Sequence, residues 1–345
     1  MLSVQDRPVR LAILGAGTIG TIHALCSLEA PEATVTAVWS HTYSRAQALA
    51  QRLDCAAYAS LEEAVTSPDV DAVLVCTPTF LHEEHALKAI AAGKHVICEK
   101  PLARDLPSAS RLIAAAQQAG VLLLVAHVVR FSPDFCQLRD AVRAGAVGQP
   151  AVVRMSRASS FPHGSQEWHN QPALSGGVVL DMGIHDLDWL LWTFGPARRV
   201  YAKGLYGRGL DCLDYALLTI RLQNETIAHV ECSWAEPEGF RVHGEIAGDA
   251  GLLDYDSLNS TALSIDLRQP PETPPGVNVP TSFTAESPYV TQLRHFCRCI
   301  QGQEQPLITP QEAYESLRLA LAALESITTN RPVQLDEEAD PCASA

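Results

Sequence analysis

Val9-Arg10-Leu11-Ala12-Ile13-Leu14 runs straight into Gly15-Ala16-Gly17-Thr18-Ile19-Gly20, and the join decides the fold. The first six residues read as a buried strand. Beyond Gly20, apolar residues from Ile22 to Leu28 recur at helical spacing. Between strand and helix lie three glycines. Gly15 allows a tight turn, Gly17 lets the backbone approach a pyrophosphate, and Gly20 permits close packing of helix on strand. The helix amino end, at Thr18 and Ile19 after Ala16 and Gly17, attracts the anion. The alternative is a glycine-rich turn that packs for its own sake. The strand before and the helix after favour dinucleotide binding.

Working outward, residues 34–39 form a second strand, followed by Ser40-His41-Thr42-Tyr43-Ser44-Arg45. A carboxylate is expected at this strand end to hold the ribose 2′-hydroxyl of NAD. None occurs between Thr34 and Gln51. Ser40, His41 and Arg45 suit a 2′-phosphate instead. The expectation is NADP preferred, with NAD possible. The competing reading leaves Arg45 facing solvent on the next helix.

The strand–helix alternation continues. Residues 71–76 form a strand that Thr77-Pro78-Thr79 turns into a helix ending near Gly93. His82 falls beside that turn, where a cofactor would pass, or is merely a first-turn surface histidine. His82-Glu83-Glu84-His85 has one residue too few between its histidines to be the zinc motif HExxH. Then comes His95-Val96-Ile97-Cys98-Glu99-Lys100-Pro101. Its apolar run reads as a strand, and Pro101 makes the chain leave the sheet. Ligands sit beyond the carboxyl ends of parallel strands, so Lys100 points toward one. Otherwise Glu99 and Lys100 are ordinary solvated residues. A helix over 105–119 and a strand over 121–126 complete a parallel sheet with helices on both faces.

Past His127 the texture changes, which sets domains of 1–126 and 127–345. A helix over 133–144 and a strand over 152–161 are followed by a loop-like stretch, 162–175, carrying His163, Trp168, His169 and Asn170. A helix spans 177–194. Strand-like segments at 200–206, 215–222, 226–234, 242–247 and 262–267 suggest an antiparallel or mixed sheet. Residues 270–288 are proline-rich, a loop or exchanged arm. Helices near 289–300 and 310–328 close the chain, and residues beyond Asp336 read as frayed.

On the helix over 177–194, Asp181, His185 and Asp188 fall at i, i+4 and i+7, hence on one face. Buried polar groups need partners. Three readings stand: a satisfied hydrogen-bonded pair or a solvated face, a metal site, or acid–base catalysis with His185 near neutral pKa and Asp181 orienting it.

The net charge of −14 argues against a polyanion-binding surface, so no nucleic acid is expected. Ten scattered cysteines without a CxxC pair read as reduced thiols of a cytoplasmic protein. No apolar run approaches membrane-spanning length, and the amino-terminal residues do not read as a signal peptide.

Together, Gly15–Gly20 with His23 just after, Thr77-Pro78 with His82, Glu99-Lys100-Pro101 and the run from Gly176 to Trp189 make the chain resemble the glucose–fructose oxidoreductase/inositol dehydrogenase (Gfo/Idh/MocA) family. Their order and separations fit over nearly the whole chain. The resemblance implies an α/β Rossmann domain followed by an α+β domain with a large, mostly antiparallel open-faced sheet. That face commonly makes dimers or tetramers. It implies Lys100, Asp181 and His185 as the catalytic group, without a metal, acting on a secondary alcohol or ketone of a sugar or cyclitol. Thr77, Pro78, His82, Glu99 and Lys100 would line the cofactor. Trp168 and His169, in the family's variable loop, would face a polyol together with Lys100, Asp181 and His185. Arg130 would approach the nicotinamide or brace the domain junction. A dihydrodiol-type dehydrogenase and a non-catalytic cofactor-binding regulator are the alternatives.

Overall fold

A computed structural model of the chain describes residues 4–162, 165–207, 212–258 and 286–335. The first sheet contains β1 (Val9–Leu14), β2 (Ala33–Trp39), β3 (Ala56–Tyr58), β4 (Ala72–Val75), β5 (His95–Glu99) and β6 (Leu123–Ala126). All are parallel, in the order β3-β2-β1-β4-β5-β6. The order reverses at β1, which is where dinucleotides cross a doubly wound sheet. β4 is buried at every residue, as expected of a strand covered on both faces. The connecting helices are α1 (Thr18–Cys26), α2 (Tyr43–Leu53), α3 (Leu61–Thr66), α4 (His82–Ala91) and α5 (Leu106–Ala119). Asp105 caps α5 through its side chain, and Gly120 ends it in the left-handed conformation.

After α6 (Pro133–Arg143), a second sheet assembles from β7 (Pro150–Ser160), β8 (Ala197–Leu205), β9 (Tyr215–Leu222), β10 (Ile227–Ser233), β11 (Ala235–Gly248), β12 (Leu252–Asp256) and β13 (Val333–Gln334). The order is β12-β11-β7-β10-β9-β8-β13, antiparallel throughout except for β7 beside β10. Strict alternation in β9 buries Ala216, Leu218, Ile220 and Leu222 on one face. That face packs beneath α10 (Pro310–Thr329), which lies on β8, and the helical turn Val179–Gly183, which lies on β10, while α8 (Ile184–Phe194) packs against α10. The opposite face carries Leu205, Leu217 and Leu252 exposed.

Two differences from the sequence expectations concern the second half. The stretch 162–175 is not wholly loop: it contains a helical turn at Ser165–Asn170 and the short α7 (Pro172–Ser175). The segments 262–267 and 270–285, and everything from Asp336 on, lie outside the described residues. Finally, α9 (Pro288–Ile300) belongs by sequence to the second half but packs on α1 and β2 of the first. Arg298 of α9 reaches Glu32 at 2.8 Å, and Gln301 donates to the Arg7 carbonyl at 2.9 Å. The chain after residue 285 therefore completes the first layer system as well as the second.

Candidate active site

The glycine loop takes its shape from contacts that no side chain would survive. A Cβ on Gly20 would stand 1.8 Å from the Gly15 carbonyl oxygen. Gly15 itself sits at φ +107°, with a Cβ position 2.7 Å from the Cys76 oxygen. At Gly17 the reverse holds: nothing lies within 4 Å of where a Cβ would be. Gly17 caps α1, and no side chain covers the first amides of that helix. Open space before uncovered helix amides fits a pyrophosphate. At the end of β2, Ser40 is half-buried while His41 and Arg45 are exposed. Arg45 has no ion pair among the described residues.

The next two turns are tied to each other. Thr77 Oγ1 lies 3.0 Å from His85 Nδ1, and the His85 ring stands edge-on to Trp39. His82 is buried, with Nδ1 2.8 Å from the Pro101 carbonyl and Nε2 2.9 Å from the Thr77 carbonyl. It braces the Thr77-Pro78 turn against the turn after Lys100; its ring is not presented to the cleft.

Glu99 ends β5 in a buried setting. Its Oε1 meets His23 Nε2 at 2.6 Å, and its Oε2 accepts from the Lys100 amide at 3.1 Å. Burial pushes its carboxyl upward, but the His23 bond and the charges of His23, Lys100 and His82 hold it below the usual range. Lys100 then crosses to the second domain. Its Nζ donates to the Asp181 carbonyl at 2.5 Å and to Asp181 Oδ1 at 3.1 Å. Against the cost of burial, Lys100 and His169 keep the Asp181 carboxyl below its ordinary value.

The helix that carries Asp181 is not a plain α-helix. Val179–Gly183 is wound as a π-helical turn, leading into α8. The extra residue per turn shifts the phase of everything downstream. The shift moves His185 and Asp188 together relative to Asp181, and Asp188 differs from His185 by its partners, not by its phase. Asp188 is fully buried in a bidentate pair with Arg130, at 2.8 Å for both contacts, and accepts from Ser316 Oγ at 2.9 Å. Arg130 is accordingly a brace at the domain junction, with Glu312 as its second carboxylate at 2.8 Å. Asp186 is likewise consumed by Arg157, at 2.6 and 2.9 Å.

His185 is left with Nδ1 buried and without a partner. Burial, reinforced by the positive charges of Lys100, Arg157 and His127, pushes its imidazole well below the ordinary value of 6.5. It is therefore neutral at physiological pH and competent to take a proton. His127, one residue past β6, is 0% exposed, with neither ring nitrogen hydrogen-bonded and Nδ1 3.8 Å from Asp188 Oδ2.

On the outer side, Trp168 stacks on His169 at 3.9 Å between ring centroids and meets the edge of Phe80 at 6.2 Å. Ser175 Oγ donates to the His169 carbonyl at 2.9 Å, tying this loop to α7. His163 lies outside the described residues. No cluster of three metal-ligating side chains occurs among those described, and no described helix is long and apolar enough to cross a membrane.

The structure thus brings Lys100, Asp181, Glu99 and the charge field of His185 together, and it separates Asp188 and Arg130 from them. Sequence reasoning gave no role to His23, His127, Arg157 or Phe80. A signal existed only for His23, one turn into α1 after the last glycine.

Two family models match the chain: an oxidoreductase family with an NAD-binding Rossmann fold over residues 9–127, and the GFO/IDH/MocA C-terminal domain over residues 135–254. The chain is 31% identical to a 1,5-anhydro-D-fructose reductase of Ensifer adhaerens, over 95% of this chain and 98% of the relative. It is 29% identical to the myo-inositol 2-dehydrogenase of Thermotoga maritima, over 95% and 99%. Among solved structures, GenD2 from gentamicin A biosynthesis, in complex with NAD, superposes with a TM-score of 0.87 at 25% identity, covering 96% of this chain and 97% of that one. A nucleotide loop, a strand-end lysine and a second-domain aspartate that meets it are thus found on a chain that belongs to the Gfo/Idh/MocA family of oxidoreductases.

Proposed function

We propose that this oxidoreductase interconverts a secondary alcohol and a ketone on a sugar or cyclitol, with NADP(H) favoured over NAD(H). The observation that carries the reading is the Lys100–Asp181 contact, which joins the end of β5 to the second domain beside the nucleotide loop. The bound cofactor supplies hydride acceptance or donation. The chain supplies the proton chemistry. In oxidation, His185 takes the hydroxyl proton while the carbon–hydrogen electron pair departs as hydride. Lys100 has three donors, two of them on Asp181; the third is free to hydrogen-bond the reacting oxygen and stabilise negative charge as it develops. Asp181 fixes the ammonium and accepts from a neighbouring hydroxyl. In reduction the proton returns from His185 to the oxygen.

Trp168 and Phe80 offer an aromatic wall suited to the apolar face of a polyol ring. Arg45, exposed and without an ion pair among the described residues, supports the 2′-phosphate. The exposed Leu205, Leu217 and Leu252 on the open sheet face support a homodimer or homotetramer. Nicotinamide absorbance with a panel of cyclitols, sugars, ketoses and diols, run with both cofactors, tests the reading. Turnover of diols alone would favour a dihydrodiol dehydrogenase. Tight cofactor binding with silence across the panel would favour a regulator.

A further inference from the structure

His82 and His23 are neighbours of the same buried cluster, and their hydrogen-bond patterns are opposite. Both nitrogens of His82 end on carbonyl oxygens, at 2.8 and 2.9 Å. A carbonyl oxygen only accepts, so each contact is a hydrogen bond only where the nitrogen carries a proton. Neutral imidazole has one N–H; imidazolium has two. In His23, Nε2 meets the Glu99 carboxylate at 2.6 Å, and Nδ1 has no partner. One proton serves His23 fully. Two are needed at His82.

Charge points the same way. Glu99 and Asp181 are both held below their ordinary values, Glu99 by His23, Lys100 and His82, and Asp181 by Lys100 and His169. A buried carboxylate favours a cation beside it, and His82 is one of the groups that face Glu99.

We propose that His82 carries a positive charge in this cluster and, as an imidazolium, clamps the Thr77-Pro78 turn to the Lys100-Pro101 turn. This makes it a positioning residue for Lys100. The backbone of Lys100 is then gripped from both sides: Glu99 Oε2 accepts from its amide at 3.1 Å, and His82 holds the carbonyl of the next residue. The charged groups facing His82 are Glu99, which favours the cation, and Lys100, which opposes it. His85, one turn along α4, also opposes it when protonated. Burial, the largest influence, draws the imidazole below its ordinary value against the two carbonyls and Glu99, which favour the cation. The clamp rests on the two carbonyl contacts, which a neutral imidazole with one N–H cannot both satisfy.

The role in catalysis rests on the proposed function, but the protonation state does not. The full-length protein is labelled with ¹⁵N-histidine, and a long-range proton–nitrogen spectrum is recorded at neutral pH. The His82 ring is assigned by its loss in His82→Gln, or in His82→Asn if the first variant fails to fold. Two protonated ring nitrogens with slowly exchanging N–H protons are expected. One unprotonated nitrogen in that ring overturns the proposal. For the positioning role, His82→Gln keeps a donor for only one carbonyl. It should lower kcat by roughly 10²-fold while leaving cofactor Kd unchanged. Wild-type kcat should show an alkaline decline that this variant lacks. An alkaline limb equal in both proteins refutes the role. A doubly protonated His82 in a protein silent on every substrate would leave the clamp standing and remove the enzymatic reading.

Discussion

Lys100 and Asp181 are 81 residues apart in the chain, yet the lysine ammonium holds both the backbone oxygen and Oδ1 of the aspartate, at 2.5 and 3.1 Å. One residue ends a strand of the nucleotide-binding sheet; the other lies in a turn packed over the second sheet. Neither domain alone contains the pair, so docking of the two domains and formation of this contact are one event.

Replacing Lys100 by Met removes the donor to the reacting oxygen but touches no part of the glycine loop. Turnover should fall by roughly two to four powers of ten. Cofactor Kd, followed by nicotinamide fluorescence, should change only a few-fold. Undiminished turnover would refute the assignment of Lys100.

The pH profile should report His185. In the proposed mechanism its neutral form is the base, and its imidazole is held well below 6.5 by burial and surrounding cations. Alcohol oxidation should therefore stay level as pH falls through 6.5 and decline only further into acid, where His185 gains a proton. His185→Asn should abolish that acid limb along with most of the rate. A wild-type profile that breaks near 6.5 would show the ring to be unperturbed and the assignment mistaken.

For the cofactor, Arg45→Ala should weaken NADPH binding by about tenfold or more, the worth of a charge-assisted hydrogen bond. NADH binding should not move. Equal losses for both would place Arg45 away from the 2′-phosphate.

The Arg130–Asp188 pair is structural, with both side chains almost fully buried. Asp188→Ala leaves the guanidinium with Glu312 alone and should cost about 3–5 kcal/mol in urea unfolding. Replacing both together, as Arg130→Met with Asp188→Leu, should cost distinctly less than the single change, because no unpaired buried charge remains. Equal losses in the two proteins would contradict this account.

What was legible in the sequence was what local chemistry dictates. The glycine loop announces itself because Gly15 and Gly20 have steric reasons confined to a few neighbouring residues. The alternation of buried and exposed side chains gave β9 its bounds to the residue, and the apolar run before Glu99 gave β5. The edge strands β12 and β13 were missed: they are short, and their pairing depends on partners far away in the chain. The docking of α9 on α1 was equally invisible, since residue pattern says that a helix has an apolar face but not what covers it. The phase of Asp181 relative to His185 and Asp188 was hidden for a different reason. The spacing was counted at 3.6 residues per turn, and nothing in the types of residues 179–183 reveals a wider turn.

That wider turn has a consequence for how the chain tolerates change. One residue of helix corresponds to about 100° of rotation. Removing a single residue between Val179 and Gly183, with the helix tightening to ordinary pitch, would swing the downstream carboxylates around the axis. Asp186 and Asp188 would lose their arginines, and the imidazole of His185 would be turned out of its present setting. A point deletion here would thus act as a misindexing of the whole helix, harming folding and chemistry together. Substitutions of similar volume at the same positions should be absorbed far more easily.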